Sequence, residues 1–146
     1  MGVVLSRPSS VTVGEAVPQL EDSVPVSAPV FVGGPVQPGA IVYLAEFQDP
    51  ADAGLLVMGR IGFPASDANL DDLADVTDRG RVFAGYAGWE SGQLEQELAE
   101  GAWYVLQADP EDALTSEPGG LWRFVLRRQG GQLALVSNFP PDPTMN

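Results

Sequence analysis

Apolar positions in this chain come in short runs broken by glycine and proline, with helical spacing confined to a few places. Residues 2–5 are continuously apolar and are closed by Arg7 and Pro8, which predicts a buried strand. Residues 30–32 form a second run, stopped by Gly33-Gly34-Pro35. Residues 41–45 form a third, between Pro38-Gly39 and Asp49-Pro50. Residues 55–58 predict a fourth, with 61–63 as its continuation past Gly59-Arg60, and residues 81–84 and 103–106 predict two more.

Helical signals lie between these runs. Thr12 and Glu15 have capping-box spacing, and Pro18 keeps the helix they start short. Residues 23–29 alternate Val and Pro and predict an extended connector. Asp67 caps a predicted helix that turns Leu70, Leu73 and Ala74 inward and leaves Asp71, Asp72 and Asp75 in water. Ser91 or Gly92 opens another, with Leu94, Leu98 and Ala102 on one face, Glu95, Glu97 and Glu100 in water, and Gly101 at its end. Asp109-Pro110-Glu111-Asp112 combines a capping carboxylate, a first-position proline and first-turn acids. Residues 121–129 predict a helix whose end carries Arg127 and Arg128 before Gly130-Gly131. Residues 133–136 suit helix or strand, and 139–143 read as a tail. This interleaving is too uneven for a doubly wound sheet. It predicts an α+β fold with a small mixed, strongly bent sheet, in a single domain over residues 1–146.

Composition removes several chemistries. The 146 residues contain no cysteine, which excludes disulfides, thiolate metal sites and thiol nucleophiles. They contain no histidine, the commonest general base and metal ligand. All seven basic residues are arginines, so no lysine is present for Schiff-base or phosphate-loop chemistry. A net charge of -13 opposes bulk nucleic acid and anionic membranes and favours a basic partner. No apolar run reaches the ~20 residues of a membrane span, and the first residues do not form a signal peptide. The expected location is the cytoplasm.

The most specific segment is residues 85–104, GYAGWESGQLEQELAEGAWY. It resembles the hallmark of the AlgH/YqgE-like family of bacterial proteins. Gly2-Val3-Val4-Leu5-Ser6-Arg7-Pro8 is similar to that family's first motif, with Ser6 in place of the usual Asn, and Phe31-Val32-Gly33-Gly34-Pro35-Val36 is similar to its Gly-Gly-Pro element. The resemblance implies a one-domain α+β protein with a barrel-like sheet surrounded by helices. One branch of the family is named for a proposed role in transcriptional regulation, and the resemblance supplies no cofactor and no catalytic residue. Family members carry a longer segment before the first motif, including a strand pair. The resemblance therefore implies an N-terminally short chain with an open sheet edge or a gap over the core, and with it self-association. Glu90-Ser91 departs from the small residues the family favours there.

The candidate interaction surface comprises Gly33, Gly34, Pro35, Tyr86, Trp89, Glu90, Gln93, Glu97 and Trp103. Its glycine turn could present amides to an anion, but it matches neither a dinucleotide fingerprint nor a phosphate loop. The simpler reading makes Gly33-Gly34-Pro35 a structural turn and Tyr86, Trp89 and Trp103 part of the core. Asp67, Asn69, Asp71 and Asp78 have calcium-loop spacing, yet Asp72 stands where that loop needs glycine. Arg123, Arg127 and Arg128 are the basic cluster, read as helix-end charge before nucleic-acid contact. The expectation is a non-enzymatic regulatory or scaffolding protein with an unknown protein partner. The alternatives are a DNA-binding regulator and an enzyme using Glu or Tyr in a pocket.

Overall fold

A computed structural model describes residues 1–139; beyond Phe139, the predicted tail lies outside the described residues. Six strands form one sheet: β1 (Pro8–Thr12), β2 (Pro29–Val32), β3 (Val36–Phe47), β4 (Leu55–Met58), β5 (Ile61–Phe63) and β6 (Thr77–Tyr86). Their order is β1-β2-β6-β3-β5-β4. β2 runs parallel to β6 and the other pairs are antiparallel, so the sheet is mixed and the fold is α+β.

The long β3–β6 pair sets the two faces. Its register places Tyr43 opposite Val82, Leu44 opposite Arg81, Ala45 opposite Gly80 and Glu46 opposite Arg79. Because side chains alternate along a strand, Tyr43, Ala45, Phe47 and Val82 share one face. They are covered by α1 (Val13–Ala16) and by 3-10 turns at Pro18–Leu20 and Leu70–Asp75, through Val13, Val17, Leu20 and Leu73. Phe31, Leu44, Ile61 and Phe83 meet Ala113 of α3 (Pro110–Ala113), with half-buried Val3 and Leu5 packed against them. Sealing each such side chain from water contributes about 1.5–3 kcal/mol, so both layers matter to stability. The remaining helices are α2 (Gln93–Ala99), α4 (Leu121–Gln129) and α5 (Gly131–Val136).

Local signals placed several elements correctly. Thr12 and Glu15 form the predicted capping box, and Asp109 caps α3 with Asp112 closing a second box. Other expectations are corrected. Residues 2–5 are only half-buried; they hold to the fold by an isolated two-bond bridge between Gly2 and Ala87 and by the Val4 amide donating to Gly33. Residues 23–28 turn instead of extending, because Val24 is drawn into the core, and only Pro29 is extended, as the start of β2. β5 reverses onto β4 in a hairpin at Gly59 (φ 55°) and does not continue it. Asn69, not Asp67, caps the turn at Leu70–Asp75 through the Asp71 amide. Residues 103–106 form no strand: Val105 is 76% exposed, and no neighbouring strand offers them a ladder. Residues 133–136 are helical.

Candidate functional site

The three motifs of the resemblance converge in space. β6 bends at Gly85 (φ 71°), ends at Tyr86 and passes on to Ala87. Gly33 and Gly34 lie directly against that stretch. A Cβ on Gly33 would stand 2.2 Å from the Gly85 carbonyl oxygen, and one on Gly34 would stand 2.2 Å from the Tyr86 carbonyl carbon. Only glycine permits two backbones this close. The Gly33 amide donates to the Ala84 carbonyl at 2.9 Å, and Gly2 exchanges two backbone bonds with Ala87. Gly33-Gly34-Pro35 is thus a packing joint between strands.

Beyond the joint, Trp89 and Trp103 do not enter the core. Trp89 is half-buried over Gly2, and Trp103 is 49% exposed. Their rings meet edge-on at 6.0 Å and 69°, a preferred aromatic geometry. Both indole N–H groups donate to Glu97 Oε2, at 2.7 Å from Trp103 and 3.2 Å from Trp89. Gln93 Nε2 donates to Glu97 Oε1 at 2.9 Å, and Gln93 Oε1 accepts from the Glu90 amide. These donors, Trp103 foremost, hold the Glu97 carboxyl below its ordinary pKa. The acid expected in water is therefore the centre of an indole clamp, while Leu94 is only half-buried and Leu98 is exposed. Glu90 is exposed and Tyr86 half-buried.

Trp103 also borders an open apolar groove of about 420 Å³. Leu5, Leu106, Leu121, Trp122 and Leu126 line it, bringing together the first segment, the loop after α2, and α4. Tyr104, Val105, Trp122 and Phe124 expose large apolar surface nearby in the chain. The sequence reading missed this groove. The available signal was α4 itself, whose Leu121, Trp122, Phe124, Val125 and Leu126 are too many apolar residues for one face, and of these only Leu126 is buried.

The predicted basic cluster divides. Arg128 is bound to Asp112, with Nη1 to Oδ1 at 2.9 Å, and it holds the Asp112 carboxyl below its ordinary pKa. Arg123 and Arg127 are exposed and form no ion pair among the described residues. A second network runs Asp78–Arg60–Glu46–Arg79–Glu111, with each contact at 2.7–2.8 Å. The calcium-like residues serve other ends: Asn69 caps a turn and Asp78 pairs with Arg60. On the sheet, Arg81 is 9% exposed; its guanidinium lies 4.3 Å over the Phe31 ring, and burial lowers its pKa.

Comparison with known proteins matches residues 1–134 to the family model DUF179, described as AlgH-like. A UPF0301 protein of Thermobifida fusca is 44% identical over 160 residues, covering all of this chain and 79% of the relative. A UPF0301 protein of Streptomyces coelicolor is 42% identical, also covering all of this chain and 79% of the relative. Among solved structures, protein DIP2367 of Corynebacterium diphtheriae superposes with a TM-score of 0.82 at 29% identity, over 94% of this chain and 74% of that one. The solution structure of the AlgH protein from Pseudomonas aeruginosa superposes at 0.65 with 30% identity, over 97% and 78% of the two chains.

Proposed function

The chain belongs to the AlgH-like family, and from that premise we propose that it works as a single-domain, non-enzymatic regulatory or scaffolding protein of the cytoplasm. It acts by protein contact through the groove between Trp103 and Trp122. The observation that carries this reading is the groove itself, bordered by half-exposed indoles and apolar side chains. Contiguous apolar surface of this kind marks contact sites, and tryptophan is among the commonest energetic anchors of interfaces. The partner supplies an apolar anchor with basic flanking residues, since the chain carries a net charge of -13.

The test places a photo-crosslinking amino acid at Tyr104, an exposed residue lining the groove, in the native host. The expected result is a discrete protein adduct that Val125→Glu abolishes. DNA binding is the competing reading, and a gel shift at moderate salt decides against the proposal if it finds specific retardation removed by Arg123→Ala with Arg127→Ala.

A further inference from the structure

Among the described residues two charged side chains are buried, Asp112 and Arg81. Asp112 has its counter-ion in Arg128. Among the described residues Arg81 forms no ion pair, although the chain holds 20 Asp and Glu side chains and only seven arginines. Register explains the difference. Arg79 stands across from Glu46 and bonds to it at 2.7 Å, whereas one alternation further Arg81 stands across from Leu44. Among the described residues its hydrogen bonds go to carbonyls alone: Nη1 donates to Leu5 and Ala113, and Nη2 to Thr115. A buried ion without a counter-charge is costly to the fold.

A guanidinium has five N–H donors, so three carbonyl contacts leave donors unused, Nε–H among them. Unused guanidinium donors are what a carboxylate takes in a charge-assisted hydrogen bond. Nε makes no hydrogen bond among the described residues, and no fully enclosed side-chain nitrogen or oxygen lacks a partner, so Nε remains open to space. Arg81 borders a cavity of about 250 Å³ together with Phe31, Pro29, Val82, Thr115 and Ser116.

We propose that this cavity binds a small monocarboxylate, its carboxyl group on the unused donors of Arg81 and its apolar body against Phe31, Pro25 and Pro29. One arginine and no second cation line the cavity, so a singly charged ligand is neutralised while a phosphate dianion is not. The volume is below that of pockets for drug-sized ligands, which limits the body to a ring or a short chain. This site is separate from the groove of the proposed function and stands or falls without it.

The experiment titrates the full chain with benzoate, acetate, benzamide and inorganic phosphate by calorimetry, and follows the arginine Nε–H resonances by NMR. The expected result is saturable benzoate binding that weakens about tenfold for neutral benzamide and for Arg81→Gln. The Arg81 Nε–H signal moves with benzoate and stays in place with benzamide. Ser116→Trp, at the exposed rim of the cavity, reduces benzoate binding without altering the fold. If Arg81→Gln fails to fold, the rim variant and the wild-type Nε–H shift carry the test. Equal binding of benzoate and benzamide, tighter binding of phosphate, an unmoved Nε–H signal, or no saturable binding overturns the proposal.

Discussion

At the scale of single residues, position in the fold decided roles that residue type alone left open. Glu97 was legible as an acid on a helix, but the two indole donors that bind it come from opposite sides of that helix and meet only in the folded chain. Since its folded pKa is depressed, the clamp stabilises the fold above the ordinary glutamate range and releases as pH falls through the lowered value. The expected outcome is a tryptophan fluorescence change with a midpoint below the ordinary glutamate pKa of about 4.3. Glu97→Ala should abolish this step and red-shift the neutral-pH emission with little change in far-UV circular dichroism. The glycine joint gives a sharper contrast. Gly34→Ala forces a Cβ into the Tyr86 backbone, whereas Gly39→Ala meets nothing within 4 Å. Urea denaturation should show a loss of about 1–3 kcal/mol or more for the first and little change for the second.

Elements were legible where their cause was local. The capping boxes at Thr12 and Asp109, the stop at Gly33-Gly34-Pro35 and the run at 30–32 depend on neighbours in sequence, and all appear as expected. The reading failed where pairing is distant. Residues 2–5 and 103–106 have strand composition, but a strand needs an available ladder, and the fold offers the first only isolated backbone bonds and the second no neighbour. The groove was invisible for a related reason, since its walls are far apart in sequence. β4 carries its own prediction. It is an edge strand whose Leu55, Leu56 and Val57 are all substantially exposed, with no charge or proline to blunt it. Such an edge templates further pairing. Sedimentation velocity is expected to show concentration-dependent association for the wild-type chain that Val57→Lys reduces; identical profiles would count against an edge-driven contact.

For the whole molecule, charge sets the terms of stability. The chain carries -13 overall, against five ion pairs among the described residues, four of them in one exposed or half-exposed network. Exposed pairs are worth about 0–1 kcal/mol each and weaken in salt, while repulsion among unpaired carboxylates is relieved by the same screening. Repulsion is the larger effect here, so the thermal midpoint should rise as sodium chloride goes from about 10 mM to the physiological range of about 0.15 M. A falling midpoint would show that the Arg60 and Arg79 network dominates. Acid removes a different contribution. Asp112, held low chiefly by Arg128, stabilises the fold above the usual aspartate range and loses that contribution as pH falls through its depressed value.

From the amino-acid order alone came the α+β character, the excluded chemistries, the family and the turns and caps, because each rests on residue type or on neighbours a few positions apart. Tertiary structure decided the strand register, the joint that brings the three motifs together, the exposure of the tryptophans and the isolation of Arg81. Those depend on which distant backbones lie side by side: two residues along β6 separate an arginine facing Glu46 from one facing Leu44, and no local pattern encodes that choice.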